Sequence, residues 1–307
     1  MRPAVLRMLC AAAVLLMLNF KGCNWAGDPA GAGVGSALAF HRPNGGTDVT
    51  FFVAADTHFG VEGIADLNVR QIDEMNALPG KPLPRQLGGT VQPPRGVLMA
   101  GDLTDGGSKA QWREFVAHYG LTGKDGRLRF PLYECTGNHD RHAFLFRPVL
   151  DGVKRRHGSL TYSWDWDDVH LVSLDCYPDA ANLRWLKRDL AQVGTVRPVA
   201  LFFHYPLLGP YSDWWKQTEK NAFRDAIRGY NVIAIFHGHY HGSGRYKWEG
   251  YDVYNVGSPR HSAHSFAVVR ITDTTLTIAS RNWDRGTWRW THRKPINTAA
   301  AKAAPHN

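Results

Sequence analysis

The chain has 307 residues, of which 44% are hydrophobic and 12% aromatic, and its formal net charge at pH 7 is +9. Its 11 Trp, 11 Tyr and 14 Phe residues offer enough apolar area for a folded core, which excludes disorder over most of the length. With only four cysteines and one long apolar run, the chain is neither a disulfide-rich scaffold nor a protein with several membrane spans.

The first predicted element is an export signal. Arg2 and Arg7 precede an apolar run over residues 8–20, which has the length of a signal-peptide core and is short for a membrane span. An A-x-A motif at residues 37–39 offers a cleavage site, so residues 1–39 are predicted to form a signal peptide and a small-residue spacer. An uncleaved N-terminal anchor is the alternative. We therefore expect an exported protein, either periplasmic or secreted.

Short apolar runs then recur along the chain, and each of them ends in polar residues. Five runs rich in Val, Ile, Leu or Phe predict strands that are buried on both faces. These runs cover residues 49–55, 96–100, 130–136, 198–203 and 231–236. Apolar residues at helical spacing predict helices over residues 108–119, with Ser108 as the N-cap, and over residues 181–193. Strands that alternate with helices indicate a layered α/β domain whose site lies at the carboxyl ends of the strands.

The C-terminal part of the chain is predicted to be rich in strands. Runs over residues 251–256, 265–271 and 276–281 are separated by tight turns and would complete a second sheet packed on the first. No clear linker interrupts the chain, so we predict one domain over residues 40–295. The Ala-rich residues 296–307 are predicted to form a mobile tail.

The polar residues that follow the five runs are Asp, His and Asn, a set typical of a metal site. Oxygen and imidazole ligands together suit Mn, Fe or Zn, whereas thiolates would have indicated structural zinc. Seven such residues exceed the needs of one ion and are enough for two divalent ions, provided that one carboxylate bridges them. The candidate ligands are Asp56, His58, Asp102, Asn138, His204, His239 and His241. Two adjacent ions clamp the attacking and leaving oxygens in phosphoester hydrolysis, which is therefore the predicted chemistry.

These residues lie in five ordered blocks that resemble the signature of the calcineurin-like metallophosphoesterases. The blocks are Asp56-Thr57-His58, Gly101 through Gly107, Gly137 through Asp140, His204-Tyr205-Pro206 and Gly238 through His241. Each block follows a predicted strand, and the resemblance covers residues from about 50 to 242. It implies a four-layer α/β/β/α sandwich of two packed mixed sheets, with the metal site at the carboxyl ends of the strands.

The resemblance also implies a role for each site residue. Asp56, His58 and His241 would hold the first ion, Asn138, His204 and His239 would hold the second, and Asp102 would bridge both. A hydroxide shared by the ions would attack phosphorus. His139 would protonate the leaving alkoxide as a general acid. Asp105 would orient this histidine, with Asp140 as an alternative partner.

Two departures from the family pattern argue against a protein Ser/Thr phosphatase. Those enzymes carry Arg after the second Asp of the G-D-x-x-D block and read G-N-H-E, whereas this chain has Gly106 and Asp140 at these positions. The resemblance then leaves a small phosphomonoester or phosphodiester, a nucleotide or a lipid headgroup as the substrate. The alternatives are a non-catalytic metal-binding interaction module on the same fold and a nuclease, which would need a positively charged groove.

Several residues near the blocks allow two interpretations. The loop after His204 carries aromatic residues that predict either a wall over the metals or packing of the loop onto the core. These aromatic residues are Tyr205, Tyr211, Trp214 and Trp215. Three arginines near the blocks are either phosphate ligands or ordinary surface residues. They are Arg141, Arg245 and Arg260.

The other predictions concern the core and the partners. His237 ends an apolar run and is expected to satisfy a backbone group there. Cys135 and Cys176 are expected to be buried thiols, and a disulfide between them is the alternative. The basic residues form no dense stripe, so we expect a small phosphorylated substrate, no nucleic acid, no membrane span beyond the N-terminal signal, and a monomer.

Overall fold

The computed structural model describes residues 46–143 and 145–296, which contain twelve strands and five α-helices. The strands are β1 Asp48–Ala54, β2 Val97–Ala100, β3 Leu132–Cys135, β4 Thr161–Trp166, β5 Val169–Leu174, β6 Val199–Phe202, β7 Val232–His237, β8 Ser243–Trp248, β9 Tyr251–Val256, β10 Ser265–Thr272, β11 Thr275–Asn282 and β12 Thr287–Pro295. The α-helices are α1 Ile64–Ala77, α2 Lys109–Tyr119, α3 Pro148–His157, α4 Ala180–Val193 and α5 Gln217–Ile227.

The strands form two six-stranded mixed sheets. The first has the order β12-β11-β10-β1-β2-β3, and the second has the order β4-β5-β6-β7-β9-β8. In the first sheet β1, β2 and β3 run parallel, and β10 pairs antiparallel with β1. In the second sheet β5, β6, β7 and β9 run parallel, and the edge strands β4 and β8 pair antiparallel with their neighbours. The carboxyl ends of the parallel strands therefore carry the loops that follow them to one edge of each sheet.

Strand β1 shows why the central strands have continuous apolar sequences. Its residues Val49, Phe51 and Val53 belong to the core between the two sheets, while Phe52 and Ala54 belong to a second core on the outer face. Helices α1, α2 and α3 cover that outer face, and α4 and α5 cover the outer face of the second sheet. Both faces of the central strands are thus buried, and the predicted four-layer α/β/β/α sandwich is confirmed.

Helix α2 begins where the sequence predicts. The Ser108 hydroxyl accepts a hydrogen bond from the main-chain N–H of Gln111 at 3.3 Å, and this capping box fixes the first turn.

The predicted signal segment over residues 1–39 lies outside the described residues, and so does the predicted tail except for Ile296. Ile296 is buried against the core between the sheets. The proposed domain limits stay a prediction. Within residues 46–143 and 145–296, no helix has the length and apolar character needed to cross a membrane.

Candidate metal centre

The seven predicted ligands lie in the loops that follow five parallel strands, three from the first sheet and two from the second. Asp56 and His58 follow β1, Asp102 follows β2, Asn138 follows β3, His204 follows β6, and His239 and His241 follow β7. Both sheets therefore contribute side chains to the same place.

Five of these seven residues have a left-handed backbone, which is uncommon for residues with a side chain. Their φ angles are 56° for Asp56, 46° for His58, 51° for Asp102, 68° for His239 and 56° for His241. Hydrogen bonds between neighbouring turns hold this geometry: Asp56 N donates to Gly101 O at 2.9 Å, and His58 N donates to Asp102 O at 3.0 Å. Such strain concentrates at functional sites, where it directs side chains that an ordinary turn would point elsewhere.

The first cluster of side chains consists of Asp56, His58, Asp102 and His241, whose ligand atoms all lie within 4.8 Å of one another. The Nε2 atoms of His58 and His241 are 2.9 Å apart, and Asp56 Oδ1 lies 3.6 Å from His241 Nε2. Asp102 Oδ2 lies 3.7 Å from His58 Nε2. These are the three residues predicted for the first ion, together with the residue predicted to bridge.

The second cluster consists of Asp102, His204 and His239. His204 Nε2 lies at its centre, 3.2 Å from Asp102 Oδ2, 3.1 Å from His239 Nδ1 and 3.1 Å from Asn138 Oδ1. Asp102 thus belongs to both clusters.

The donor atoms of the two clusters suit divalent cations. Asp56 Oδ2 and His239 Nε2 are buried and have no hydrogen-bond partner among residues 46–143 and 145–296. His204 Nδ1 lies 2.9 Å from Ala100 O, and a carbonyl oxygen can only accept, so Nδ1 carries the hydrogen and directs Nε2 into the cluster. Nitrogen and oxygen lone pairs that converge in a buried space need a positive charge among them, and this donor set fits Mn, Fe or Zn.

The protonation states of the imidazoles favour metal binding. Burial lowers the pKa of His58 to about 2, of His239 to about 3 and of His241 to about 4. These three rings are therefore neutral at neutral pH, which is the form that coordinates a metal. Burial acts in the same direction on His204, but the Asp102 carboxylate outweighs it and raises the pKa of His204 to about 9. A bound cation would take the place of that proton.

His139, the predicted general acid, is anchored beside the clusters. Its main-chain N–H donates to Asp102 Oδ1 at 2.9 Å, and its ring nitrogen Nδ1 lies 2.8 Å from the main-chain oxygen of Asp105. The Asp105 carboxylate is farther from this ring, at 3.5 Å, and lies 3.2 Å from His58 Nδ1. Asp105 therefore contacts His139 chiefly through its carbonyl group. His58, Asp105 and His139 also form a third group of possible ligands, with His58 shared with the first cluster.

Asp140, the alternative partner of His139, has a different set of contacts. It is fully buried, and its carboxylate accepts hydrogen bonds from the main-chain N–H groups of Leu103, Thr104 and Gly137 and from the Thr104 hydroxyl. This carboxylate ties the loop after β2 to the loop after β3. Asp140 therefore holds the two loops that carry Asp102 and His139, and these hydrogen bonds do not include the His139 ring.

Residues 258–261 border the first cluster, and of these the sequence had indicated only Arg260 as a candidate. Arg260 Nη1 lies 3.3 Å from Asp105 Oδ1 and 3.4 Å from His58 Nδ1, and the exposed His261 ring stacks on the His241 ring with centroids 5.0 Å apart. The available signal is the segment Asn255-Val256-Gly257-Ser258, which resembles a further family element. The Ser258 hydroxyl donates to Asp56 O at 3.0 Å.

The other two candidate arginines have different surroundings from those of Arg260. Arg141 is hydrogen-bonded to Asp175 and Thr136, while Arg245 is exposed on β8. Among the three, Arg260 is the residue that the structure places beside candidate ligands.

The aromatic residues after His204 divide between the two interpretations. Trp215 is only 2% exposed, and its Nε1 donates to Pro206 O at 2.9 Å, so it packs into the core. The rings of Tyr205, Tyr211 and Trp214 lie around His239, with centroids 5.0, 5.4 and 4.5 Å from its ring. These three form a wall beside the second cluster.

The remaining predictions concern buried residues. His237 Nδ1 donates to Gly238 O at 2.9 Å and its Nε2 lies 2.9 Å from the Tyr246 hydroxyl, so this histidine has a structural role, as predicted. Burial lowers its pKa to about 4. Cys135 and Cys176 are both buried and free.

Comparison with known proteins places the chain among phosphoesterases. A family model described as calcineurin-like phosphoesterase matches residues 49–243. A curated relative, the glycerophosphodiester phosphodiesterase GpdQ of Enterobacter lignolyticus, is 28% identical over 170 residues, which are 50% of this chain and 55% of that protein. The chain thus spans about half the length of this curated relative.

Solved structures share the fold at low sequence identity. A dimetal phosphatase from Danio rerio is 15% identical with a TM-score of 0.62, and the match covers 81% of this chain and 99% of that one. For GAP50, the anchor in the inner membrane complex of Plasmodium, the identity is 11%, the TM-score 0.59, and the coverage 82% and 90%. The purple acid phosphatase PPD1 from yellow lupin is 14% identical with a TM-score of 0.55, covering 85% and 57%. Since both phosphatases and an anchor have this fold, the fold alone does not decide activity.

Proposed function

Because this chain belongs to the calcineurin-like phosphoesterase family, we propose that it is a metal-dependent hydrolase that cleaves a small phosphomonoester or phosphodiester. The observation that carries the proposal is the position of Asp102, which belongs to both clusters of candidate ligands. A buried carboxylate shared in this way suits two adjacent divalent ions better than one. We propose no metal identity within the set Mn, Fe and Zn.

Two sets of residues are proposed to bind the two ions. In this proposal Asp56, His58 and His241 hold one ion, Asn138, His204 and His239 hold the other, and Asp102 contacts both. When bound, the ions supply the Lewis acidity that lowers the pKa of a water to near neutrality and stabilises charge on the phosphoryl oxygens. Main-chain hydrogen bonds between the turns keep the ligands in place before any ion arrives, which limits the reorganisation needed on binding.

His139 is proposed to donate the proton that the leaving oxygen needs. The Asp105 carbonyl can only accept, so it fixes the hydrogen on His139 Nδ1 and leaves Nε2 as the nitrogen that exchanges a proton with the substrate. The main-chain bond from His139 to Asp102 Oδ1 sets the distance between the acid and the bridging carboxylate. Arg260 lies 3.3 Å from the Asp105 carboxylate and is proposed to bind a phosphoryl oxygen.

Retention of every predicted residue favours hydrolysis over a non-catalytic module. The seven candidate ligands lie together with His139 beside them, and a module that only bound metal would have no need of a general acid at that position. We further propose that hydrolysis takes place after export, on the basis of the basic N-terminus and the apolar run over residues 8–20.

The test is metal analysis of the variant Asp102→Asn, with Asp66→Asn on the exposed face of α1 as a matched control. Removing the shared carboxylate should lower the content of both ions together, and hydrolysis of aryl phosphate and aryl phosphodiester substrates should fall with it. The measurements should be repeated with added Mn, Fe or Zn. Normal content of two ions in Asp102→Asn would contradict the bridging role, and no hydrolysis by the metal-loaded wild type across aryl, nucleotide and inositol-phosphate substrates would contradict the proposed function.

A further inference from the structure

The exposed apolar residues of this protein are concentrated beside the candidate metal centre. Among the described residues, six large hydrophobic side chains are exposed, and all of them belong to three loops that carry or adjoin site residues. They are Leu145 (88% exposed), Phe146 (82%), Leu208 (47%), Tyr211 (51%), Trp214 (49%) and Tyr240 (47%). Exposed apolar residues are usually scattered over a soluble protein, so their confinement to one region indicates an interaction surface. We call these six residues the apolar rim.

Contacts with site residues place the rim at the mouth of the centre. Tyr240 lies between His239 and His241 in the chain, and the Tyr211 and Trp214 rings contact His239 edge to face, at 82° and 65°. Leu208 lies in the same loop as Tyr211 and Trp214, four residues after His204. The rim therefore borders the second cluster directly.

The second part of the rim follows the proposed general acid. The ring of His142 lies 4.8 Å from the ring of His139, and Leu145 is the third residue after His142. Three residues of extended chain span at most about 11 Å and four at most about 14 Å, which limits how far Leu145 and Phe146 lie from His142.

We propose that the apolar rim docks on an anionic lipid surface, and that the site takes the phosphodiester of a phospholipid headgroup from that surface. This inference rests on the proposed function. Leu and Phe side chains suit insertion among acyl chains, whereas Trp and Tyr, with an apolar body and a polar atom, suit the headgroup level. A rim with both kinds of residue would bring the centre to the depth at which phosphodiester groups lie.

Charge selects an anionic lipid over the other occupants of such a surface. The chain carries a formal net charge of +9, and the exposed Arg147 directly follows Phe146 in the rim. The exposed Lys154 and Arg155 lie in the last turn of α3, the helix that follows this loop. Two exposed carboxylates, Asp151 on α3 and Asp213 beside Trp214, oppose these cations, and the exposed Lys216 adds to them, so the cations outnumber the carboxylates. Anionic lipid headgroups attract such a face, whereas a second copy of the chain would bring the same positive charge against it.

The reaction balances without any further reactant. Oxygen from water bonds to phosphorus, the bond between phosphorus and one ester oxygen breaks, and that oxygen takes a proton from His139. The products are an alcohol and a phosphomonoester. One proton of the water replaces the proton that His139 gave, and the other stays on the phosphomonoester or passes to solvent when that group ionises.

The experiment compares rim variants of the full chain by vesicle flotation. Vesicles of equal parts phosphatidylcholine and phosphatidylglycerol are compared with vesicles of phosphatidylcholine alone. All chains carry Leu15→Asp and Leu16→Asp, which remove the affinity of the N-terminal apolar run for lipid. In this background, Leu145→Ser with Phe146→Ser should weaken partition to the anionic vesicles by roughly 10- to 100-fold, given the apolar area that the two side chains would bury.

The matched control carries Leu145→Ile with Phe146→Trp in the same background. Its partition to anionic vesicles should equal that of the parent, because both replacements keep large apolar side chains. The ratio of vesicle phospholipid hydrolysis to soluble aryl phosphodiester hydrolysis should fall in the serine variant in parallel with partition. This ratio separates the two proposals, because absence of both activities in the metal-loaded parent would contradict the proposed function.

Three results would overturn the docking proposal itself while soluble esters are still hydrolysed. These are no flotation of the parent chain with anionic vesicles, equal flotation of the serine variant and the parent, and light scattering that shows a dimer which the serine variant disperses. The last result would assign the rim to a second copy of the chain.

Discussion

Replacing His139 by alanine separates proton donation from metal binding. The His139 ring is fixed from two sides, by the bond from its main-chain N–H to Asp102 Oδ1 at 2.9 Å and by the contact between Nδ1 and Asp105 O at 2.8 Å. An acid held so firmly should contribute the full effect of general acid catalysis, which is about 10² to 10⁴ in rate, or about 3 to 5 kcal/mol of transition-state stabilisation. We expect a loss of this size in kcat for an alkyl phosphodiester.

The assay uses substrates with different leaving groups. An alkoxide needs a proton as it leaves, whereas para-nitrophenolate is stable without one, so His139→Ala should lose much less activity toward a para-nitrophenyl ester than toward an alkyl ester. Metal content should stay at the parent value, because the ring nitrogen that faces the protein is engaged with a carbonyl group. His142→Ala is the matched control, since this exposed ring lies 4.8 Å from His139 and has no predicted role.

Equal losses for both leaving groups would refute proton donation. A loss of one ion in His139→Ala would instead assign His139 to the third group of possible ligands, with His58 and Asp105.

Two predictions concern stability. Gly238→Ala would bring its new Cβ within 2.8 Å of both Asp56 Oδ2 and Ala100 O. The free energy of unfolding, measured by heat or denaturant, should therefore fall by about 1 to 3 kcal/mol. Gly244→Ala is the control and should be nearly neutral, because its Cβ would meet no atom within 4 Å. A loss equal to that of Gly244→Ala would contradict the overlap. Burial lowers the pKa of His170, but hydrogen bonds to two carboxylates outweigh it and raise this pKa above 6.5. The protonated ring thus stabilises the fold fully below pH 6.5, and this contribution disappears as the pH rises through the raised pKa. Melting curves at a series of pH values should show the gap between wild type and His170→Gln shrinking on the alkaline side, and a constant gap would exclude this ion pair as its source.

The central strands could be predicted because burial on both faces leaves a clear sequence pattern. The run predicted over residues 231–236 corresponds to β7 at Val232–His237, and the run predicted over residues 251–256 coincides with β9. The amphipathic helices α2 and α4 were predicted from the spacing of their apolar residues, but several other elements with mixed surfaces were not. Strand β12, for example, alternates exposed and partly buried residues at the edge of the first sheet, and its sequence TWRWTHRKP lacks an apolar run.

The candidate site could be predicted to the extent that its residues follow strands in sequence blocks. The structure brings Asp56 and His204 together from different sheets, which their shared position after apolar runs indicated. Arg260 was one of three candidate arginines, but the sequence could not single it out or reveal the contact of His261, because both depend on where the loop between β9 and β10 folds back. The sequence also could not show which of the two neighbouring tryptophans is buried. Trp214 is 49% exposed and Trp215 only 2%, although the side chains are identical.

Because the candidate ligands come from both sheets, metal binding should affect the stability of the protein and its resistance to proteolysis. Each cluster joins residues from the N-terminal half of the fold to residues from the C-terminal half, His58 to His241 in the first and Asp102 to His204 in the second. A cation bound to both halves would stabilise the folded state, because its binding free energy would add to the free energy of unfolding. If the proposed ions bind, their removal would lower stability as well as activity, because the metal-free protein would unfold more often and be cleaved sooner by proteases.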